Sequence, residues 1–264
     1  MDIGTGKATP EDRALVPHHL MDVAEPSEPF SVSRWLQLAE DAIAGIRARG
    51  RIPVVVGGTH LYVKSLLDGM FDGPGRDEGL RAELEALDAE ALRVELLRVD
   101  PQAAARIHPS DLRRTVRAIE VFRLTGRPIS AHQTQWDQGK HDDRFVVTLN
   151  WGTEALNRRI NARVRKMMED GLLDEVKRLH ARGVFGETAR EGLGYKQLLA
   201  HIEGRLSLDE AVEKIKIETR RFAKNQRTWI RRLGASPGAM RLYPETESIA
   251  EMCDKIAKRL TVIS

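Results

Sequence analysis

Val54-Val-Val-Gly-Gly-Thr-His-Leu-Tyr62 is the stretch on which the reading of this chain turns. Three β-branched residues run into two glycines and a threonine, and an apolar pattern at helical spacing follows. That order spells a buried parallel strand, a tight turn and a helix start near Thr59, running to about Leu67. Upstream, Ser31 stands where it can cap a helix with the apolar face Trp35, Leu36, Leu38, Ala39, Ala42, Ile43 and Ile46, and Gly50 can stop that helix. Leu20-Met-Asp-Val23 is a short strand candidate before it. Residues 20–56 therefore read as a β-α-β unit, with the right-handed crossover expected of one.

The character changes after the linker Asp72-Gly-Pro-Gly-Arg76. Residues 80–98, 101–107, 110–125 and 129–136 read as helices with no strand between them. Pro101 suits a first helical turn, and Gly126-Arg-Pro128 breaks the run. Strand character returns over 145–151. The expected organisation is thus an α/β core made of 1–75 and 141–264, with an all-helical insertion at 76–140. Within the second core segment, Leu156, Ile160, Val164 and Met168 form an i, i+4 stripe that stops at Gly171, and 172–181 reads as a further helix. Ser207-Leu-Asp-Glu210 is a capping box before a long helix with apolar positions Leu208, Ala211, Val212, Ile215, Phe222 and Trp229. The tail after Gly234 reads as a turn and then an amphipathic helix from about Ser248.

The composition is ordinary globular material, 264 residues with 41% hydrophobic. No apolar run approaches membrane-spanning length, and the N-terminus lacks a basic-then-apolar leader, so the reading is a cytoplasmic protein with no membrane partner. Cys253 is the only cysteine, which excludes an internal disulfide and a cysteine-based zinc site, and it reads as a small buried hydrophobe. The net charge of +3 says less than its distribution. Residues 154–232 hold 19 basic and 12 acidic side chains, and 214–232 hold eight basic against the one acid Glu218. Such a stretch can neutralise phosphates, or it can be a solvated helix face.

Several residues carry chemistry in this pattern. Thr59 places a hydroxyl beside Gly57 and Gly58 at the end of a parallel strand, the edge where α/β sheets bind ligands; it serves equally as a helix N-cap. Arg159 and Arg163 share a helix face continued by Lys166, suited to diphosphate oxygens or to water. Arg220, Lys224, Arg227 and Arg231 make a basic stripe opposite Phe222 and Trp229, and Trp229 reads as core rather than as a base-stacking platform. Arg113, Arg114 and Arg117 follow His108-Pro-Ser-Asp111, where His108 reads as a loop or capping residue, and His18-His19 has no metal-ligand spacing. Gly4-Thr-Gly-Lys7 looks like part of a phosphate loop but lacks the first glycine, the Ser/Thr after the lysine and the preceding strand. An anion-binding helix start and a basic helix on one chain point to an enzyme acting on RNA.

Six segments in order, Asp2-Ile-Gly-Thr-Gly-Lys7, Gly57-Gly-Thr-His-Leu-Tyr62, Ala105-Arg-Ile-His-Pro-Ser-Asp111, Arg117-Ala-Ile-Glu-Val121, Gly194-Tyr-Lys-Gln197 and Thr219-Arg-Arg-Phe-Ala-Lys-Asn-Gln-Arg-Thr-Trp229, resemble the isopentenyl-tRNA transferases, the tRNA dimethylallyltransferase family. The resemblance covers essentially the whole chain. It implies a P-loop-NTPase-like parallel sheet core of the nucleotide- and ATP-binding type, with a helical insertion that grips the tRNA anticodon stem-loop. It implies transfer of a dimethylallyl group from dimethylallyl diphosphate to the exocyclic amine of the adenosine 3′ to the anticodon, with Mg2+ assisting diphosphate departure. By position, Thr59 and Arg163 would be catalytic. Gly57, Gly58, Thr59, Arg163 and Arg220 would hold the diphosphate. Arg81, Arg113, Arg114, Arg117, Tyr195, Lys196, Lys224, Gln226, Arg227, Trp229 and Arg231 would hold the tRNA, with the protein a monomer. Asn225 departs from the basic residue usual at its position. In the family a strand, a phosphate loop and an Asp-Ser segment carrying the general base precede Asp2, which leads to the expectation that Met1 is an internal methionine and that this chain leaves a sheet edge uncovered. A tRNA-binding protein without catalysis is the alternative reading. A small-molecule kinase is a third, disfavoured by the basic C-terminal helix.

Overall fold

The computed structural model describes residues 1–70, 73–132 and 144–263. In chain order the elements are α1 (Pro10–Leu15), α2 (Val32–Ala48), α3 (His60–Asp68), α4 (Glu78–Glu85), α5 (Ala89–Val99), α6 (Pro101–Arg106), α7 (Leu112–Thr125), α8 (Ile129–His132), β1 (Val147–Leu149), α9 (Thr153–Glu169), α10 (Leu172–Ala181), α11 (Glu187–Arg190), α12 (Tyr195–Ile202), α13 (Leu208–Leu233), β2 (Met240–Leu242) and α14 (Ile249–Ile263). The chain divides into two compact units, Met1–Val63 with Asp143–Ser264, and Lys64–Asp142.

The first unit is a helix-rich α/β body. Its sheet, among the described residues, is a parallel pair, β1 against β2, with Val147 opposite Met240 and Leu149 opposite Leu242. The core lies between α9, α10, α12 and α13, where Val164, Leu172, Val176, Leu179, Leu198, Leu199, Ala211 and Ile215 are buried, with Met1 and Ile3 packed onto them. Local chemistry sets the helix ends. Ser31 Oγ accepts from Arg34 N at the start of α2. Gly171, at φ +94°, provides the left-handed residue between α9 and α10. Ser207 and Glu210 close the capping box of α13, with Glu210 accepting from Ser207 N at 2.8 Å. No helix among the described residues is long and apolar enough to cross a membrane.

The second unit, among its described residues, is all helical. Four of its helices begin at an aspartate: the side chains of Asp77, Asp88, Asp100 and Asp111 accept from the backbone of Leu80, Ala91, Ala103 and Arg114. Gly126, at φ +70°, ends α7. Leu84, Leu92, Leu96, Val116, Ala118 and Ile119 form its core. Inside it lies the carboxylate of Glu120, which takes a two-pronged pair from Arg81 at 2.9 and 3.1 Å, a bond from Arg117 at 2.6 Å and one from Asp77 N at 3.0 Å. Burial alone would raise this carboxyl; the bonds from Arg81, Arg117 and Asp77 outweigh it and bring its pKa to about 2.

Several expectations change. Residues 52–56 form no strand: the segment is unpaired and Val54 and Val56 are 75% and 90% exposed. β-Branched residues favour extended backbone, but a strand exists only through a partner. Leu20 and Asp22 have φ of 63° and 57°, which rules out a strand there and with it the β-α-β unit. β2 was not anticipated; it lies where the tail reads as a turn. The single helix expected over 80–98 is two, because Asp88 starts a new one. Of the helix expected over 129–136 the described part is α8; 133–136 lie outside the described residues. Cys253 is exposed, not buried.

Replacing Glu120 by Ala leaves two guanidinium groups facing each other without their anion. The expected cost is about 3 kcal/mol, read as a lowered urea midpoint. The depressed carboxyl makes the Glu120 contribution complete above its unfolded value of 4.5 and lost as pH falls toward 2. A Glu120→Ala variant with an unchanged midpoint at pH 7 contradicts this.

Candidate functional site

The site of the first unit is built on a buried anion. Glu175, on α10, is 2% exposed. Its Oε2 accepts from Asp2 N at 2.8 Å and Ile3 N at 3.0 Å; its Oε1 accepts from the Tyr195 hydroxyl at 2.5 Å and, more distantly, from Gly4 N at 3.5 Å. Burial raises this carboxyl, but the hydrogen bonds from Tyr195 and the three amides outweigh it and hold its pKa below the usual range. Burial, and then the neighbouring Glu175 anion, push the Tyr195 phenol up. Gly194, at φ +91°, lets α12 begin here, and its N–H donates to Gln197 Oε1 at 2.9 Å. Gln197 Nε2 in turn donates to Glu218 of α13 at 2.8 Å.

This anchor shapes residues 1–7. Gly6 N and Lys7 N close a turn onto Ile3 O and Asp2 O. Gly4 lies flat on the Tyr195 ring, where a side chain would clash. Gly6, at φ +61°, lies under the guanidinium of Arg163, which occupies the space of a Cβ. Lys7 is held by Asp2 and Asp22, and Asp22 also takes Arg13 at 2.9 Å, so the lysine that mimics a phosphate-loop residue is already paired.

A second cluster forms where Gly57-Gly58-Thr59 enters α3. Thr59 is exposed, and its carbonyl accepts from Val63 N at 3.1 Å, so α3 begins at this turn; helix starts of this kind favour anions. Gln226 Nε2 donates to Gly58 O at 2.9 Å. The His60 ring lies parallel to Trp229, with centroids 4.7 Å apart and 4° between planes, and the Arg232 guanidinium is 5.0 Å from the same indole centroid. Trp35 stacks on Tyr62 at 4.8 Å and braces the same turn.

The basic helices meet at α9 and α13. Arg220 donates to Asn161 Oδ1 at 2.7 Å, and Arg227 reaches Thr153 Oγ1. Arg159 covers the Trp151 ring at 4.5 Å, and Lys166 pairs with Asp170. Lys224, Asn225 and Arg231 are exposed. Of the expected RNA contacts, Lys196 pairs with Glu191 at 2.6 Å at the surface. The Tyr195 side chain is 1% exposed and serves the core through Glu175, which corrects its expected place on an RNA surface. In the second unit Arg113 and Arg114 are exposed, whereas Arg81 and Arg117, expected to hold tRNA, are both paired with Glu120. His108 Nδ1 lies 2.7 Å from Ser110 Oγ, the loop role expected of it. Sequence reasoning missed Glu175, Glu120 and Asn161; only the apolar residues around the two glutamates hinted that they face inward.

Among the described residues no three carboxylate, imidazole or thiol groups converge to hold a metal ion, so the side chains do not form a magnesium cage. A helix start tied by Gln226 to the cationic helix α13 belongs to a helix-rich α/β protein. Comparison with known proteins makes this specific. The IPP transferase family model matches residues 1–233. The tRNA dimethylallyltransferase of Geobacillus thermodenitrificans is 45% identical over 240 residues, 88% of this chain and 75% of that protein; that of Carboxydothermus hydrogenoformans is 43% identical over 265 residues, 97% and 83%. The full-length tRNA isopentenylpyrophosphate transferase of Bacillus halodurans has a TM-score of 0.69 at 38% identity, over 100% of this chain and 84% of that one. A eukaryotic dimethylallyltransferase solved acting on tRNA has a TM-score of 0.79 at 28% identity, over 97% and 69%. The chain belongs to the IPP transferase family, whose curated members here are tRNA dimethylallyltransferases, a kind of prenyltransferase.

Glu175→Gln keeps the shape but turns one acceptor oxygen into a donor facing amides. It is expected to cost about 2 kcal/mol in a thermal or urea melt. In the wild type the Glu175 contribution is present above the ordinary glutamate range and lost as pH falls through its depressed folded value. A variant as stable as the wild type at pH 7 removes Glu175 from its central place.

Proposed function

We propose that this chain modifies tRNA by moving a dimethylallyl group from dimethylallyl diphosphate to the exocyclic amine of the adenosine on the 3′ side of the anticodon. The observation that carries the reading is the bond from Gln226 to Gly58, which ties an anion-binding helix start directly to the basic helix α13. Its relatives, named tRNA dimethylallyltransferases, support dimethylallyl transfer to tRNA.

In this reading the diphosphate lies against the first turn of α3. The amides there and the Thr59 hydroxyl accept its charge, and Arg163 supplies a planar guanidinium, held in place over Gly6. The adenine amine attacks the allylic carbon, the carbon–oxygen bond to the diphosphate breaks, and the amine gives up a proton to solvent. Neutralising the departing diphosphate is where the protein lowers the barrier. Magnesium, where it takes part, adds positive charge on the diphosphate oxygens. The tRNA backbone lies along the exposed cations Lys224 and Arg231, with Arg227 and Arg220 at the α9 seam and Lys196 beside Glu191. Arg113 and Arg114 of the helical unit contact the anticodon stem-loop, with Arg81 and Arg117 as the frame beneath them. The protein acts as a cytoplasmic monomer.

The direct test incubates the chain with unmodified tRNA and dimethylallyl diphosphate and analyses the digested nucleosides by mass spectrometry. A prenylated adenosine is expected. Salt-sensitive tRNA binding without any transfer would overturn the catalytic part and leave an RNA-binding protein. Arg163→Ala is expected to weaken diphosphate binding about tenfold and tRNA binding less than twofold, the scale of one charge-assisted contact. Equal losses for both ligands would count against the role given to Arg163.

A further inference from the structure

Gln226, Trp229 and Arg232 follow one another at three-residue steps, so they form a stripe along α13. At about 100° per residue, this stripe lies on the opposite side of the helix from Arg220, Lys224, Arg227 and Arg231. It continues the face that buries Ala211 and Ile215. Two of its members touch the loop that enters α3, and they touch it on either side of Thr59. Gln226 Nε2 donates to the carbonyl of Gly58, the residue before, at 2.9 Å. Trp229 stacks on the ring of His60, the residue after, with planes 4° from parallel. The fit at Gly58 is close: a Cβ there would run into the Gln226 amide.

We infer that Gln226 and Trp229, with His60 as the receiving ring, are positioning residues that fix the backbone of Thr59, and that they are not RNA contacts. The inference rests on the reading that this loop receives the diphosphate, but the clamp itself is a property of the fold. Held on both flanks, the backbone of Thr59 cannot shift far without breaking either a hydrogen bond or a ring stack. The geometry of the anion site is thereby set by α13, and the basic stripe on the other side of that helix is left to bind nucleic acid.

The test has two readouts. Amide hydrogen exchange at Val63, whose N–H donates to Thr59 O, reads the clamp with no ligand present. Gln226→Ala and Trp229→Ala are expected to speed it about tenfold, Trp229→Phe much less because a phenyl ring still stacks, and Lys224→Ala not at all. Unchanged exchange in both alanine variants overturns the clamp, whatever the enzyme does. The second readout is ligand binding. Trp229→Ala is expected to raise the KM for dimethylallyl diphosphate about tenfold and to weaken inorganic diphosphate binding alike, with the tRNA Kd within twofold and recovery in Trp229→Phe. The reverse pattern, a tenfold loss of tRNA affinity with unchanged diphosphate binding, makes Gln226 and Trp229 RNA contacts and overturns the inference. Faster exchange in a protein whose wild type binds no diphosphate keeps the clamp and removes instead the function assigned to the loop.

Discussion

A carboxylate buried without donors would not stay ionised, and Glu175 stays ionised because the chain brings it donors from far away in sequence. The amides of Asp2 and Ile3 and the hydroxyl of Tyr195 converge on it within 3.0 Å. Three elements that share no local sequence, the N-terminal turn, α10 and α12, are thereby locked into one arrangement. The turn then fixes Gly4 against the Tyr195 ring and Gly6 beneath Arg163. The place of the guanidinium proposed to meet diphosphate is therefore a consequence of how a glutamate on the next helix is satisfied.

The second unit repeats the same physics with different donors. Glu120 is fully buried and is neutralised by Arg81 and Arg117, with one further bond from the amide of Asp77. Those arginines also reach out: Arg117 donates to Pro74 O at 2.8 Å and to Gly75 O, so the segment entering the helices is tied to the same ion cluster. A positive charge in a basic segment is thus not by itself a surface for nucleic acid. Arg113 and Arg114, one turn away on the same helix, stay in solvent.

What could be read from the sequence was what neighbouring residues decide. The caps at Ser31 and Ser207, the start at Pro101, the stops at Gly126 and Gly171, and the helix 172–181 all follow from contacts within a few residues, and all are present. Residues 52–56 were misread because a strand needs a partner that local pattern cannot supply. β2 was missed for the converse reason: three residues with little pattern of their own become a strand by pairing with β1. The Gly57-Gly58-Thr59 turn and the basic stripe of α13 were legible as chemistry. That Gln226 and Trp229 grip the turn was not, since they lie more than 160 residues from it. Tyr195 and Arg81 show the same limit: the apolar residues around Glu175 and Glu120 hint that the two glutamates face inward, but not which distant side chains meet them.

α13 is one uninterrupted helix of 26 residues, about 39 Å from end to end. Its first half is embedded, through Ala211, Ile215 and the Gln197–Glu218 bond, while its second half carries the loop contacts and exposed cations. Mechanically this is a cantilever, and the stiffness of an α-helix turns a small tilt at the root into a larger travel at the tip. A substitution that loosens the seat near Ile215 would therefore be felt most by the residues farthest from it.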